Sequence, residues 1–205
     1  MGFDLIRETI FQHPPPRTFG AEIPSRALAG RRILSVLAAG ALVVAALIAP
    51  VRATADVVAT TADVLRVVDG DTIDIRDDVR GRLRVRILGI DTPETKKPGY
   101  GVACWGTEAT EFATINLVGQ RVAMQPDPTQ DRTDRYGRTL AYLVKADGWD
   151  YSVEAARAGT AKSYVYGGVP VARSGAIEAA QAEAMAASRG LWGPPCFGDT
   201  ASPPR

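Results

Sequence analysis

RILGIDTPE, residues 86–94, joins the end of a predicted strand to a pair of acidic side chains. From Leu83 to Ile87 apolar residues alternate with arginines, and this period of two is typical of a strand with one buried face. Pro93 ends the strand, so Asp91 and Glu94 crowd its end with Arg86 nearby. Carboxylates beside a guanidinium suit a hard cation and a phosphate. A strand end with solvated acids and a surface arginine explains this stretch equally well, and the stretch alone leaves both interpretations open.

A second acidic motif, VVDGDTI, occupies residues 67–73. Asp-Gly between two apolar alternating runs predicts a tight hairpin or bend. Taken alone, the motif is explained by ordinary turn-forming residues. If the flanking strands are neighbours in a sheet, however, Asp71 lies beside Asp91.

At this point the chain resembles the staphylococcal nuclease (thermonuclease) family. The matching motifs are, in order, VVDGDTI, RILGIDTPETKKPGYG (residues 86–101) and DRTDRYGRTLAYL (residues 131–143). AKSYVY at residues 161–166 and RGLW at residues 189–192 also fit. The resemblance covers about Ala62 to Trp192, and ordered motifs at compatible spacing are far more specific than any one of them.

Composition excludes several kinds of catalytic site. His13 is the only histidine, and it lies far upstream of these motifs. Ser-His-Asp hydrolysis, two-histidine RNase chemistry and histidine-based metal sites are therefore excluded from the main domain. With two cysteines and no histidine there, a structural zinc site is excluded too. Residues 56–205 hold 18 basic and 20 acidic residues, so any nucleic acid must be bound through local arginine clusters and cations.

Residues 1–32 contain a Pro14–Pro16 run and no clear periodicity, which predicts a disordered region on the cytoplasmic side. Residues 33–50 are almost uniformly apolar and near the lower length limit for a membrane span. Arginines precede this run, so the positive-inside rule sends the remainder outward. Ala53-Thr54-Ala55 favours cleavage after Ala55. A cleaved signal peptide and a single-pass anchor both remain open, as does Met1 as the true start; either alternative places the domain outside the cell or at its envelope.

The remaining pattern predicts an α+β domain over residues 62–193, followed by a flexible tail, residues 194–205. We expect a five-stranded OB-fold barrel with about three packed α-helices. The predicted strands are residues 62–68, 72–76, 83–90, 121–125 and 138–144. The predicted helices are residues 107–117 with Thr107 as N-cap, residues 152–158 ended by Gly159, and residues 174–188 capped by Gly190.

The resemblance implies the chemistry of the site. It implies that Asp71, Asp91 and the backbone carbonyl of Thr92 hold one Ca²⁺ ion. It assigns Glu94 as the general base or as the residue that orients the attacking water, and it assigns Arg86 and Arg138 to the scissile phosphate. These roles agree with phosphodiester hydrolysis, because a cation and two guanidiniums stabilise the charge that develops on phosphorus.

The resemblance also implies DNA and RNA as substrates, bound by Arg135, Tyr136, Tyr164 and Tyr166. Tyrosines beside a basic site offer stacking faces to any base, although Tyr166 is nearly as well explained as a packing aromatic. Lys96 and Lys97 are expected on a loop near the site, where they are best explained as solvated charges. We expect a monomer that meets a membrane only through its N-terminal apolar segment.

The two cysteines, Cys104 and Cys196, are expected to pair, because exported domains fold in an oxidising compartment. The activity that the resemblance implies is that of a Ca²⁺-dependent endonuclease that leaves 3′-phosphate ends. The alternatives are an inactive OB-fold module that binds nucleic acid or protein at the cell envelope, and a structural envelope protein. Retention of all five charged side chains of the family's site argues against the inactive module, and only the apolar N-terminal segment favours the structural protein.

Overall fold

The computed structural model describes residues 57–205. The segments predicted at residues 1–32 and 33–50, and the cleavage position after Ala55, lie outside the described residues. Within residues 57–205, no helix is both long and apolar enough to cross a membrane.

Five strands close a barrel, as predicted, and a short two-stranded sheet lies beside it. The first three strands form an antiparallel meander. The third pairs in parallel with the strand over residues 139–145, which pairs with the strand over residues 121–125, and that strand pairs with the first to close the barrel. The strands are β1 Ala62–Asp69, β2 Thr72–Asp77, β3 Gly81–Ile87, β4 Ile90–Asp91, β5 Arg121–Gln125, β6 Thr139–Lys145 and β7 Lys162–Ser163.

Apolar side chains from alternating strand positions fill the barrel. Ile73 and Ile75 of β2 and Val85 and Ile87 of β3 are at most 1% exposed, while the arginines of β3 point the other way. Strand β6 departs from this alternation, because its residues from Ala141 to Val144 are all buried. Helices cover its outer face, so an apolar run replaces the alternating pattern there.

Three helices pack around the barrel: α1 Gly106–Leu117, α2 Tyr151–Ala158 and α3 Ser174–Ala186. Ala109, Ala113 and Leu117 form the buried stripe of α1 at a spacing of four residues. A short 3₁₀-helix, Gly190–Trp192, follows α3. The predicted end of α2 is confirmed, since Gly159 adopts a left-handed φ of 70° and closes the helix.

Three predicted boundaries are wrong. Helix α3 ends at Ala186 with Ala187 as its C-cap, and Gly190 does not cap it but begins the 3₁₀-helix. Residues 83–90 do not form one strand, because Gly89 turns the chain with a φ of 77° and separates β3 from β4. A side chain at Gly89 would meet Ile177 of α3 at 2.5 Å, so the bend depends on glycine and on the helix that covers it. Thr107 is not the N-cap of α1: the helix begins at Gly106, after Trp105 in the left-handed region and a backbone hydrogen bond from Gly106 to Ala103.

The C-terminal residues lie against the loop that follows Glu94. The backbone amide of Gly101 donates to the carbonyl of Pro203 at 2.7 Å, and the amide of Arg205 donates to Gly99 at 3.2 Å. A disulfide joins Cys104 to Cys196, as expected. The residues predicted to form a flexible tail are paired with this loop through contacts that composition does not reveal.

Candidate active site

All ten residues that the sequence assigns to chemistry or substrate line one open cleft of about 750 Å³ at the mouth of the barrel. They come from four separate parts of the chain that only the fold brings together. The ten are Asp71, Arg86, Asp91, Thr92, Glu94, Arg135, Tyr136, Arg138, Tyr164 and Tyr166.

Asp71 lies in the turn between β1 and β2, where its side chain is buried and fully engaged. One carboxylate oxygen accepts a hydrogen bond from the Thr72 hydroxyl at 3.0 Å, and the other accepts from the backbone amide of Thr92 at 3.1 Å. The second contact ties the β1–β2 turn to the end of β4. The predicted neighbourhood of the two acidic motifs is therefore present in the fold.

Arg86 connects the two aspartates. Its guanidinium donates to the carbonyls of Ile87 and Ile90 at 2.7 and 2.8 Å, which fixes it across the bend between β3 and β4. Its Nη2 lies 3.0 Å from a carboxylate oxygen of Asp91 and 3.2 Å from one of Asp71. Only 15% of the side chain is exposed, so a desolvated positive charge faces the cleft.

The cleft holds more negative than positive charge around these aspartates. Although 55% of the Asp91 side chain is exposed, the cleft walls desolvate its carboxylate and raise its pKa, and the charge of Asp71 raises the pKa further. Burial likewise raises the pKa of Asp69, and its contact with Glu94 adds to that shift. Carboxylates under such mutual repulsion favour a cation between them.

Asp71, Asp91 and Thr92 fit a Ca²⁺ ion by the chemistry of their donors. Arg86 donates a hydrogen bond to Asp91 and forms an ion pair with Asp71, and the charge of Asp71 adds to the effect of burial in raising the pKa of Asp91, so the two carboxylates lie close together. Among residues 57–205, no three side chains of His, Cys, Asp or Glu are grouped closely enough to hold a metal by themselves. The remaining ligands would therefore be a carbonyl and water, which a flexible all-oxygen Ca²⁺ shell accepts.

Arg138 faces the cleft from the start of β6. Its Nε donates to the carboxylate of Asp134 at 2.7 Å, and its backbone amide donates to the same group at 2.9 Å. Burial would raise the pKa of Asp134, but these bonds outweigh that effect and lower the pKa. Asp134 thus stays ionised and orients the guanidinium, whose Nη1 is 3.4 Å from the Thr72 hydroxyl.

The Glu94 side chain is exposed to the cleft, and two backbone amides donate hydrogen bonds to this residue. Its carboxylate accepts from the backbone amide of Lys96 at 2.8 Å, and its carbonyl accepts from the amide of Ala103 at 2.9 Å. Asp69, whose position before Gly70 predicts only a turn residue, neighbours Glu94: burial raises the pKa of Asp69, and Glu94 raises it further. Asp69 also accepts from the hydroxyls of Thr95 and Thr110 at 3.1 and 3.3 Å.

The tyrosines occupy the outer wall of the cleft. Tyr136 is 68% exposed, and Arg135 and Arg138 stack on its ring at 4.8 and 5.3 Å from the ring centre. Tyr164 reaches the site because its amide donates to the carbonyl of Gly89 and β7 pairs with β4. Tyr166 is 64% exposed, so packing does not account for it.

The two lysines of the following loop do not line the cleft. Lys96 Nζ donates to the carbonyl of Val68 at 2.5 Å, and Lys97 lies over the ring of Tyr100. Neither contact places an ammonium group at the aspartates.

Sequence analysis missed the supports beneath the site. At the start of α2, Tyr151 donates to the carbonyl of Gly70 at 2.6 Å, and Ser152 donates to the carbonyl of Leu88 at 2.9 Å. One helix end therefore holds both turns that carry the aspartates. The only signal in the sequence is a polar pair at a helix start, which ordinarily predicts capping.

Comparisons with known proteins agree with this geometry. Residues 84–194 match a family model described as staphylococcal nuclease homologue. The protein named Thermonuclease from Staphylococcus intermedius is 40% identical over 129 residues, covering 63% of this chain and 74% of the relative. An uncharacterized endonuclease of Escherichia coli is 37% identical over 130 residues, with the same shares of the two chains. An SPbeta prophage-derived endonuclease, YokF, of Bacillus subtilis (strain 168) is 40% identical over 103 residues, covering 49% of this chain and 33% of the relative.

Proposed function

Since the chain belongs to the staphylococcal nuclease family and is accordingly a nuclease of the hydrolase class, we propose that it is a Ca²⁺-dependent endonuclease of DNA and RNA. One observation carries the proposal: two guanidiniums and three carboxylates face a single cleft, with Arg86 bonded to both aspartates. A binding-only module would have no need of Glu94 at this position.

Asp71, Asp91 and the Thr92 carbonyl would hold the cation. When bound, Ca²⁺ supplies positive charge that stabilises a phosphate dianion-like transition state. Arg86 and Arg138 would supply positive charge and N–H donors to the non-bridging phosphate oxygens. Both guanidiniums are fixed before substrate arrives, so little reorganisation is required.

Glu94 receives the proton of the attacking water. The water oxygen bonds to phosphorus, the bond from phosphorus to the 5′ oxygen breaks, and that oxygen takes a proton from solvent. The products are a 3′-phosphate and a 5′-hydroxyl. The Lys96 amide holds the Glu94 carboxylate in place, and no covalent intermediate is required.

The test uses the full chain, kept in solution with mild detergent, on single-stranded DNA, RNA and duplex DNA in Ca²⁺ or in EGTA. Cleavage should require Ca²⁺, be slower on duplex DNA and leave 3′-phosphate ends. Glu94→Gln should lower turnover by several orders of magnitude, and the matched control Glu111→Gln, on the exposed face of α1, should not. Full activity in EGTA would remove the metal from the mechanism, and near-normal turnover of Glu94→Gln would remove the base.

We also propose that the protein is exported through residues 33–50 and works as a monomer outside the cytoplasm. The Cys104–Cys196 bridge supports export, because disulfides persist in oxidising compartments. Cell fractionation with N-terminal sequencing separates the two routes: a cleaved signal gives a chain that starts at Asp56, and an anchor keeps the upstream residues. Recovery of the protein only in the cytoplasm would contradict export.

A further inference from the structure

A second, shallower groove of about 500 Å³ adjoins the active-site cleft. Tyr136 and Arg138 line both, so the two form one continuous surface. Beyond these shared residues, the second groove is lined mainly by charged side chains of the first three strands. We call it the basic groove and define it by Arg66, Asp74, Arg82 and Arg84.

The register of β3 explains why the basic groove leads into the cleft. Arg82, Arg84 and Arg86 occupy alternate positions and therefore project from the same face of the strand. Alternate residues of a strand are about 6.6–6.8 Å apart, a spacing that successive phosphates of an extended single strand can follow. Arg86 is the member of this row that lies at the aspartates, and the other two continue away from them.

The basic groove keeps a surplus of positive charge. The buried carboxylate of Asp74 accepts from Nε of Arg66 at 2.7 Å and from Nε of Arg84 at 2.7 Å. The Arg84 hydrogen bond lowers the pKa of Asp74, so this carboxylate stays ionised and fixes two guanidiniums. Three arginines against one aspartate leave two positive charges.

The guanidiniums of the groove remain available to a ligand. The Arg66 and Arg84 side chains are 60% and 46% exposed, and each guanidinium has five N–H donors, more than Asp74 uses. Within residues 57–205, Arg82 forms no ion pair. A surface row that served only to stabilise β2 and β3 would be expected to pair Arg82 as well.

We propose that the basic groove binds backbone phosphates of a single-stranded nucleic acid on one side of the cleaved bond. The proposal rests on the proposed nuclease function and specifies its substrate as a strand that extends several nucleotides beyond the cleft. Tyr136 stands at the junction, where its exposed ring faces both parts of the path. Short oligonucleotides occupy the cleft alone, whereas longer strands gain the arginine row.

The test compares binding of fluorescently labelled thymidine oligonucleotides of three and twelve nucleotides to the full chain. Binding is followed by anisotropy, in EGTA and in a Glu94→Gln background so that the strand stays intact. Arg66→Gln combined with Arg82→Gln should weaken binding of the 12-mer roughly tenfold at low salt and leave the 3-mer within about twofold. Loss of two phosphate contacts should also reduce the slope of log K against log[salt] by about 1.4.

The matched control combines Lys145→Gln with Arg189→Gln, which removes two positive charges from residues that line neither groove. An equal loss for the 3-mer and the 12-mer, or a 12-mer loss no larger than in the control, would overturn the proposal. Cleavage of both oligonucleotides by the unaltered chain in Ca²⁺ is measured separately. If the unaltered chain cleaves normally but the arginine variant does not lose 12-mer binding selectively, only the proposal for the basic groove is refuted. If 12-mer binding is lost selectively but the unaltered chain cleaves neither oligonucleotide, only the proposed nuclease mechanism is refuted.

Discussion

The hydroxyl of Tyr151 donates a 2.6 Å hydrogen bond to the carbonyl of Gly70, between the two aspartates of the β1–β2 turn. The ring is fully buried, and burial together with the charges of Asp71 and Asp69 raises the pKa of its hydroxyl, which therefore stays a donor. A group 81 residues along the chain thus determines where the first carboxylate of the site lies.

Tyr151→Phe should therefore weaken both the fold and the site. The Gly70 carbonyl loses its partner in a dry environment, which costs about 1–3 kcal/mol. We expect a loss of that size in urea unfolding and weaker Ca²⁺ binding by calorimetry. Tyr100→Phe, at a partly exposed ring in the loop, is the control. Equal behaviour of the two variants would show that the Tyr151 hydroxyl does not position the turn.

Gly70→Ala should displace Thr92. A methyl group at Gly70 would lie 2.8 Å from the Thr92 hydroxyl and 2.9 Å from its Cβ, so either the turn at Gly70 or the segment at Thr92 must move. Overpacking of this kind costs about 1–3 kcal/mol, and it moves the carbonyl proposed for the cation. We expect a higher Ca²⁺ requirement for cleavage, measured by titration. Gly175→Ala, which has open space around it, should leave that requirement unchanged.

Asp127 should make the fold sensitive to acid. Burial would raise its pKa, but hydrogen bonds from Tyr142, from Thr129 and from the Ala172 amide outweigh this and lower the pKa to about 2. The folded pKa lies below the unfolded value near 3.9, so the stabilisation is complete above about pH 5 and is lost as the pH falls through about 2. The corresponding free energy is about 2 kcal/mol.

Urea unfolding from pH 6 to pH 2 measures this effect. Asp127→Asn should lose stability at pH 6 and show a smaller further loss on acidification than the unaltered chain. Asp147→Asn, at an exposed turn, should retain the full acid dependence. Parallel curves for Asp127→Asn and the unaltered chain would contradict the assignment.

Removal of the disulfide should affect stability more than catalysis. The bridge closes a loop of 92 residues, for which chain entropy gives about 4–5 kcal/mol. Replacing Cys104 and Cys196 with Ser should lower Tm markedly, while turnover falls less, since neither cysteine lines the cleft. Dithiothreitol should lower the Tm of the unaltered chain to that of the double variant. If dithiothreitol does not change the Tm of the unaltered chain, the disulfide does not contribute to the stability of the fold.

Local sequence predicted the barrel because its strands are short and alternate. Strand β5 has the predicted bounds, and the charged residues of the site lie at strand ends where turn-forming residues locate them. The row from Arg82 to Arg86 is equally visible in the alternation of β3. The bounds of a strand and the face on which its side chains lie depend on residues close together in the sequence, so the periodicity of the sequence predicts them.

The supports of the site escaped prediction because they join distant parts of the chain. Tyr151 and Ser152 contact turns 81 and 64 residues away, and no local pattern distinguishes them from ordinary helix-start residues. The bend at Gly89 leaves no room for a side chain because Ile177 of α3, which lies much later in the sequence, packs against it. The local pattern around Asp69 predicts only a turn former, because the hydroxyls that donate to it belong to Thr95 and Thr110, 26 and 41 residues further along the chain.

The Cys104–Cys196 bridge can form only late in the synthesis of the chain. After Cys104 has been made, the ribosome must add 92 residues before its partner exists, which takes roughly 5–18 s at ordinary elongation rates. Until then, and for as long as thiols stay reduced, the segment behind Glu94 has no covalent anchor. We therefore predict that the lifetime of this nuclease depends on the compartment that holds it. In a reducing compartment the unaltered chain and Cys196→Ser should be degraded at equal rates in a pulse-chase experiment, whereas in an oxidising one the unaltered chain should persist longer; equal lifetimes in both would refute this dependence.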